Sequence, residues 1–310
     1  IVGDFYYNST TGQFKTVNTG GAPLGTWSSG GNLNTARQDI GDAGVGPKTA
    51  ALTVGGKTPS TIGITELYNG TSWTESGDLN TARADSGVSG IQTSAISFGG
   101  QDPGGAGANL DNVEEFNGSS WSETTEINTA RLRPGSSGVT NAEDALAFGG
   151  GPPYKNETEL WNGSSWTELN NLNTARVAFG DGSTTAALAV GGEGPSPGIY
   201  GNTEQWNGTS WTEVNDLNTA RNFNGNAGTV TAMISYGGYA GPPGDVANTE
   251  AWDGTSWTEV ADLATARLEG SGSGSSTSAI FAGGDLNPGN SNATEEWTAA
   301  DFQIKTVTTS

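Results

Sequence analysis

One short phrase, L-N-T-A-R or a close variant of it, occurs six times at nearly even intervals along the chain. Its copies are 45 to 48 residues apart, and they end at Arg37, Arg83, Arg131, Arg176, Arg221 and Arg267. Self-similarity at such a period is the mark of a repeat architecture, in which each copy forms one supersecondary unit that packs on its neighbours. The repeat therefore limits the possible folds more than any other feature of the 310 residues.

The remainder of each unit follows a common order. An apolar run that ends in a Gly pair is followed by T-E-x-aromatic or a close variant, then by a tight turn and a Trp. The first aromatic slot holds Tyr68, Phe116, Trp161, Trp206, Trp252 and Trp297. The second slot holds Trp27, Trp73, Trp121, Trp166, Trp211 and Trp257. All ten Trp residues of the chain occupy these slots, which indicates packing rather than ligand binding.

Asn-Gly or Asp-Gly between the two aromatics predicts a hairpin, because these residues tolerate the positive φ that tight turns need. A two-residue loop at Asn162 and Gly163 would pair Trp161 with Ser164, whereas a four-residue loop would pair Trp161 with Trp166. Either register places the two aromatic side chains on one face of the sheet, because side chains alternate along a strand. Each unit is thus predicted to contain four short strands.

The 50 Gly residues, with abundant Ser, Thr and Asn, agree with short strands and many turns. A single four-stranded sheet cannot bury both of its faces, but a ring of such sheets buries them between neighbours. The Gly pair, the aromatic and Trp that follow it, and the period together resemble kelch-type repeats. That resemblance implies an all-β fold, a six-bladed β-propeller with four-stranded blades over residues 26–299.

The two ends of the repeat region are complementary, which predicts how the ring closes. The segment that begins at Trp27 has the spacing of a fourth strand, but no first three strands precede it. The last unit stops at Trp297 without its fourth strand. We therefore expect the strand around Trp27 to complete the sixth blade. The alternative donor is the strand-like stretch 302–307, within a C-terminal strand or linker at 300–310.

The chain has a formal net charge of −21 and contains neither Cys nor His. Nucleic acid as a partner needs a basic surface, which is missing, and an anionic membrane would repel the chain. No stretch reaches the roughly 18 apolar residues of a membrane span, so membrane insertion is not expected. Disulfides, thiolate metal sites and imidazole catalysis are excluded. We expect no metal and no cofactor, and the copper chemistry of kelch-type galactose oxidase needs both missing residue types.

The six repeated Arg residues have two possible roles. They could form a cationic ring for an anionic ligand, or each could pair with the Glu of the T-E-x-aromatic pattern. A residue that recurs in every blade serves what all blades share, so we favour the architectural role. The same role is predicted for Trp73, Trp121, Trp166, Trp211 and Trp257. A second repeated Glu follows the fourth-strand Trp, where charge would discourage aggregation of the outer edge.

The loops after the second strands differ sharply between units and are the predicted binding surface. They are rich in Pro and Gly and carry the candidate ligand-binding residues Tyr154, Tyr200, Tyr239, Asp111 and Asn112. A Pro-stiffened loop with Tyr side chains is typical of recognition surfaces. The alternative is that these loops have drifted without a role.

The first strands should lie nearest the propeller axis, because they are small and Gly-rich. Asp42, Arg133, Asp181 and Glu269 interrupt that pattern. They predict a polar channel mouth, which is a weaker site candidate than the variable loops.

Residues 1–25 do not fit the repeat. The stretch "DFYYNSTTGQFKTV" alternates on both sides of a turn and predicts a separate hairpin, an attachment segment. This piece and the Gly-, Thr- and Asn-rich repeats resemble segments of tail and fibre proteins of marine bacteriophages. The resemblance implies a virion or extracellular location, with other virion proteins as partners and an oligomeric state left open.

The predicted function is a non-enzymatic binding or display module of a virion appendage, which recognises a host-surface glycan or protein through its variable loops. One alternative is a glycan-cleaving hydrolase that uses paired carboxylates. Another is a purely structural virion decoration protein.

Overall fold

The computed structural model describes residues 4–8, 13–17, 25–41, 46–103, 109–138, 141–195, 198–242 and 244–300. In these ranges the regular structure is β-strand, apart from one 3-10 turn at Lys48–Ala50. Strands β1 (Asp4–Asn8) and β2 (Gln13–Val17) pair antiparallel and form a two-stranded sheet of their own. The N-terminal segment thus contains a hairpin, as expected.

The other strands form six sheets, which are the blades of a β-propeller. Blade 1 contains β4 (Leu52–Val54), β5 (Thr65–Tyr68) and β6 (Trp73–Glu75). Blade 2 contains β7 (Gly87–Ile91), β8 (Ser94–Phe98), β9 (Val113–Phe116) and β10 (Trp121–Glu123). Blade 3 contains β11 (Gly135–Ser137), β12 (Ala145–Phe148), β13 (Thr158–Trp161) and β14 (Trp166–Leu169).

Blade 4 contains β15 (Val177–Ser183), β16 (Ala186–Glu193), β17 (Ile199–Trp206) and β18 (Trp211–Val214). Blade 5 contains β19 (Gly225–Thr229), β20 (Ala232–Tyr236), β21 (Thr249–Trp252) and β22 (Trp257–Glu259). Blade 6 contains β23 (Ser271–Ser275), β24 (Ser278–Ala282), β25 (Thr294–Thr298) and β3 (Thr26–Ser29). The predicted all-β, six-bladed fold is confirmed.

The innermost position of blade 1 is occupied by the chain before β4. Gln38 pairs antiparallel with Lys57, and Gly41 N donates to Val54 O at 3.0 Å. This segment therefore runs beside β4 as a first strand does in the other blades. Its continuation at residues 42–45, which includes the predicted channel residue Asp42, lies outside the described residues.

The hairpin between the third and fourth strands uses the four-residue loop. Trp161 is paired with Trp166, and the equivalent aromatics are paired in every blade. The side chain of Asn162 stabilises this turn, since its Oδ1 accepts bonds from the backbone N–H groups of Ser164 and Ser165, both at 3.0 Å. The paired rings lie 5.4 Å apart and form the packing unit that the sequence predicts.

The fourth-strand Trp of each blade packs against the blade before it. Trp211 Nε1 donates to Thr158 Oγ1 at 2.9 Å, and four other blades repeat this bond from their own Trp to the preceding blade's Thr. Blade 3 is different because blade 2 carries Val113 at the position of that Thr. Its Trp166 Nε1 donates instead to Thr125 O at 3.2 Å. The repeated Trp residues therefore join neighbouring blades.

The ring closes as predicted, with the N-terminal strand β3 in the sixth blade. β3 pairs with β25 so that Trp27 lies opposite Trp297. Trp27 Nε1 donates to Thr249 Oγ1 of blade 5 at 3.0 Å, and the Trp73 Nε1 of blade 1 donates to Thr294 Oγ1 of blade 6 at the same distance. The alternative donor at 302–307 lies outside the described residues.

Candidate functional site

The variable loops after the second strands lie at one end of the ring. There they meet the L-N-T-A-R loops, as the antiparallel bridge between Leu268 and Asp285 shows. We call these variable loops the collar, which comprises residues 57–64, 101–112, 151–157, 193–202, 239–248 and 285–293. Within it, residues 104–108, 196–197 and 243 lie outside the described ranges.

Hydrogen bonds connect collar loops of neighbouring blades. Asn109 Nδ2 of blade 2 donates to Pro152 O of blade 3 at 3.3 Å. Asn290 Nδ2 of blade 6 donates to Lys57 O of blade 1 at 2.9 Å, across the junction where the ring closes. These bonds fix the position of each of these loops relative to its neighbour.

The three predicted Tyr residues lie on successive blades, 3, 4 and 5, and all are half-buried. Tyr154 Oη donates to Glu193 Oε1 at 2.7 Å, while Asn222 Nδ2 donates to Glu193 Oε2 at 3.3 Å. Asn222 also exchanges two backbone hydrogen bonds with Tyr239, at 3.0 and 2.8 Å. Burial and the bond to Glu193 raise the pKa of Tyr154 to about 12. One polar network thus connects Tyr154 with Tyr239, and Tyr200 lies on the blade between them.

Asp111 and Asn112 end the collar loop of blade 2, which neighbours blade 3 with Tyr154 but not blades 4 and 5 with Tyr200 and Tyr239. Their backbone carbonyls accept hydrogen bonds from the L-N-T-A-R loops of the propeller: Asp111 O accepts from Ile127 N at 3.0 Å. Asn112 O accepts from a guanidinium nitrogen of Arg83 at 2.7 Å. Both residues are half-buried, and a binding role for their side chains stays a prediction.

A second set of residues surrounds the propeller axis below the collar. These residues stand two positions after each repeated Arg, and they are Asp39, Asp85, Arg133, Ala178, Phe223 and Glu269. Five of them, all except Ala178, have left-handed backbone with φ between 50° and 59°. We call Asp39, Asp85, Arg133, Phe179, Phe223 and Glu269, together with Lys57, the hub.

The hub encloses a cavity of about 20 Å³, which is room for about one water molecule. Residues of all six blades line it, so it lies on the axis. Arg133 Nε donates to Asp85 Oδ1 at 3.0 Å, and its guanidinium lies 4.4 Å from the centre of the Phe223 ring. Lys57 Nζ contacts Asp39 Oδ2 at 2.8 Å. Side chains of different blades therefore close the channel mouth.

Burial dominates the electrostatics of Asp85 and Asp181. It raises the pKa of Asp85 to about 6 although Arg133 opposes the shift. Between blades 4 and 5, burial raises the pKa of Asp181 to about 7, although the Gly228 N–H at 2.8 Å and the Gly182 N–H at 2.7 Å stabilise the charged form. Both carboxyls are buried, and the cavity that Asp85 lines is far below the roughly 300 Å³ of a small-molecule pocket.

Three of the four predicted channel residues are described, and the structure does not bring all three together. Arg133 and Glu269 belong to the hub, and Asp181 is buried between blades 4 and 5. Sequence reasoning missed Asp39 and Asp85. Their constant offset of two residues from the repeated Arg was the signal that could have found them.

The six repeated Arg residues are buried beside the repeated Glu residues, which is the arrangement that the architectural role requires. Each is 0% exposed and contacts the repeated Glu of the blade whose first strand follows it. Glu250 shows the pattern: one carboxylate oxygen accepts from Arg221 at 2.8 Å, and the other accepts from Asn218 N and Nδ2, both at 2.8 Å. The second repeated Glu, by contrast, is exposed in each blade that carries it.

The described part of the chain offers neither a metal cluster nor a membrane-spanning helix. There, no group of three or more His, Cys, Asp or Glu side chains is placed to hold a metal ion. The same residues contain no helix with the length and apolar character needed to cross a membrane.

No protein-family model and no curated protein sequence matches this chain. The six-bladed β-propeller is thus established by the structure itself. The likeness to kelch-type repeats is carried only by sequence motifs: the Gly pair, the aromatic and Trp that follow it, and the period of the repeat.

Proposed function

We propose that this propeller is a non-enzymatic binding module of a bacteriophage virion appendage, which recognises a host-surface glycan or protein with its collar. One observation carries the proposal. The parts that differ between blades lie at one end of the ring, where hydrogen bonds join the loops of blades 2 and 3, 3 and 4, and 6 and 1. The residues that recur in every blade, by contrast, form the buried Arg–Glu and aromatic contacts within and between blades. A scaffold with variable loops at one end is a common basis for recognition.

The collar offers aromatic faces and hydrogen-bond acceptors. Tyr154, Tyr200 and Tyr239 supply rings with two rotatable bonds each, which lose little conformational entropy on binding. Glu193 and Asn222 add polar groups between Tyr154 and Tyr239. Sugar hydroxyls, or the polar groups of a protein surface, match this set.

The charge of the collar narrows the range of ligands that it could bind. Its described residues include two Lys, Lys57 and Lys155, and Lys57 is paired with Asp39 in the hub. Its described acids are Asp102, Asp111, Glu157, Glu193, Asp245 and Asp285. Like charges that face each other across an interface cost several kcal/mol. We therefore expect uncharged glycans or basic protein patches as ligands, rather than acidic polysaccharides.

The kelch-type and bacteriophage resemblances support the rest of the proposal. They imply a virion or extracellular location, and the N-terminal hairpin would serve as the attachment segment to other virion proteins. The glycan-cleaving alternative finds less support, because the closest axial carboxyls surround a cavity of about 20 Å³.

The test removes the three collar rings together. A Tyr154→Ala, Tyr200→Ala, Tyr239→Ala variant should bind marine bacterial cells about tenfold or more weakly than the parent protein, because aromatic anchors carry much of an interface's energy. Cell-bound labelled protein is measured at equal concentrations, and thermal unfolding verifies that the variant is folded.

The matched control changes three exposed Thr residues at the opposite end of the ring, Thr93, Thr231 and Thr277, to Ala. This control should bind as the parent does. Equal binding by the Tyr variant and the parent would reject the collar as the site. Failure of the parent to bind any cell would favour the structural decoration protein.

A further inference from the structure

The hub contains more acidic than basic groups. Its ionisable side chains are three carboxyls and two cations: Asp39, Asp85, Glu269, Arg133 and Lys57. The exposed fraction of the side chain is 4% for Asp39, 6% for Asp85 and 10% for Glu269. If all five groups were ionised, the hub would hold one uncompensated negative charge where solvent screens poorly. Such a charge is expensive to bury, and proteins usually neutralise it by binding a proton.

Each of the two cations already forms a close ion pair with one of the two Asp residues. Lys57 Nζ lies 2.8 Å from Asp39 Oδ2, and Arg133 Nε lies 3.0 Å from Asp85 Oδ1. The guanidinium of Arg133 approaches Glu269 Oε1 at 3.8 Å, too far for a hydrogen bond. Glu269 is therefore the carboxyl whose nearest cation lies outside hydrogen-bonding distance.

The neighbours of Glu269 also show where a proton would go. Gln38 Nε2 donates to Glu269 Oε2 at 3.1 Å, which leaves Oε1 for another contact. Asp39 Oδ1 and Glu269 Oε1 both lie 3.8 Å from Arg133 Nη2, so the two carboxyls face the same guanidinium nitrogen. Hydrogen bonding between these carboxyls lowers the pKa of Asp39 and raises the pKa of Glu269. Asp39 Oδ1 is buried and receives no N–H or O–H donor from the described residues. Two carboxyls in contact need one proton between them.

We propose that the hub is a proton-binding site, in which Glu269 carries one proton and donates it to Asp39. This hydrogen bond joins blade 6 to blade 1, which is the junction where the ring is closed. Two further contacts cross the same junction: Ile40 N donates to Glu269 O at 3.4 Å, and Gln38 binds the Glu269 carboxyl. The proton therefore stabilises the closure of the propeller at its axis.

The electrostatics agree with this geometry. Burial, and then repulsion by Asp39 and Asp85, raise the pKa of Glu269 to about 9, against the opposing effect of Arg133. Burial would raise the pKa of Asp39, but hydrogen bonds to Glu269 and Lys57 outweigh it and hold that pKa below its usual value. A cation in place of the proton is disfavoured, because Arg133 and Lys57 would repel it.

The proposal fixes the sign of a pH dependence. Glu269 has a pKa of about 9 in the folded chain and an ordinary value of 4.5. Between these values the folded protein holds one more proton than the unfolded chain, so stability falls as pH rises through this window. Above about pH 9, Asp39 and Glu269 are both charged and repel each other across the junction between blades 1 and 6.

Glu269→Gln tests the proposal, since the amide keeps a neutral donor toward Asp39 and fixes the uncharged state. Unfolding of the parent at pH 8 should release about one proton more than unfolding of this variant. The melting temperature of the parent should fall from pH 7 to 10 more steeply than that of the variant. The control Glu126→Gln, at an exposed carboxyl, should behave like the parent.

Infrared spectroscopy provides a direct readout. At pH 8, above the pKa values of about 6 for Asp85 and about 7 for Asp181, the parent should show the carbonyl band of a neutral carboxylic acid that Glu269→Gln lacks. The proposal would be overturned if the parent and Glu269→Gln released equal numbers of protons and the carbonyl band of the parent were unchanged in the variant. A parent protein that lacks the band, and is stabilised by added Na⁺, K⁺ or Ca²⁺, would hold a cation instead and would also overturn it.

Discussion

The buried ion pair of each blade explains why the L-N-T-A-R phrase recurs almost unchanged. The Arg binds one oxygen of the repeated Glu, while the Asn side chain and the backbone N–H groups of the phrase bind the rest of the carboxylate. The last copy has Ala264 in place of Asn, and its N–H alone reaches Glu295 Oε2, at 2.7 Å. One loop thus neutralises a buried carboxylate and attaches to the blade that follows.

Arg221→Met should lower the free energy of unfolding by about 3–5 kcal/mol, because it leaves Glu250 charged, buried and without its cation. Denaturant unfolding at pH 7 measures the change. Adding Glu250→Gln to that variant should recover part of the loss, since the second change removes the uncompensated charge.

Lys155→Met is the matched control, because Lys155 makes no ion pair within the described residues. Its free energy of unfolding should differ from that of the parent by less than about 0.5 kcal/mol. An equal loss of unfolding free energy in Arg221→Met and Lys155→Met would show that the buried Arg–Glu pair contributes no more to stability than Lys155 does.

Each blade needs its Gly pair because two backbone segments approach the end of the second strand closely: the next repeated Arg loop and the start of the blade's own first strand. Both glycines of every pair have positive φ, and Gly192 N donates to Arg221 O at 2.8 Å. A Cβ on Gly192 would lie 1.8 Å from Val177 O, so backbone would have to move. The pair thus allows close contact between backbone segments at the collar end of each blade.

Gly192→Ala should destabilise the protein far more than Gly198→Ala. The two glycines have similar φ values, 116° and 107°, so both substitutions bear a comparable backbone strain of about 1–3 kcal/mol. A Cβ on Gly198 meets no heavy atom within 4 Å, whereas one on Gly192 clashes with backbone. The difference between their unfolding free energies should therefore reach about 2 kcal/mol or more. Similar losses in the two variants would refute a steric role for the Gly pair.

The closed ring depends on a strand that comes from the other end of the chain. Without β3, blade 6 would expose the edge of β25, and Trp297 would lose the ring of Trp27 at 5.5 Å. Trp27 also packs against Tyr236 of blade 5 at 4.9 Å. Because each blade buries its faces only against its neighbours, an open ring would lose one complete interface.

Trp27→Ala should lower the free energy of unfolding by about 3 kcal/mol and open the ring locally. Hydrogen exchange should show faster exchange of the amides of Thr294–Thr298 than of strands in blades 2 to 4. Ser28→Ala, at an exposed position of the same strand, should leave both measurements unchanged. Uniform loss of protection over all blades would show that the ring unfolds as one unit and not from its closure.

Much of the fold could be predicted from local patterns. Spacing of the repeated phrase predicted six blades, the incomplete ends predicted closure by Trp27, and a constant Arg with a constant Glu predicted a buried pair. The hairpin register was left open between two choices, since both place the aromatics on one face. The structure selects the four-residue loop.

The candidate site was predictable only in part. Loop variability indicated the collar, but it could not show that Tyr154 of blade 3 binds Glu193 of blade 4. The hub was largely missed because its members are separated by up to 230 residues, as Asp39 and Glu269 are, and have different side chains in each blade.

The repeat can be recognised in the sequence, because every copy must bury the same two faces against the same kind of neighbour. Six blades, their aromatic pairs and their Arg–Glu contacts therefore follow from the chain alone. Contacts between unlike copies follow no period. The collar network and the shared proton at the hub arise when closure brings residues from distant copies to one axis, and only coordinates in three dimensions reveal them.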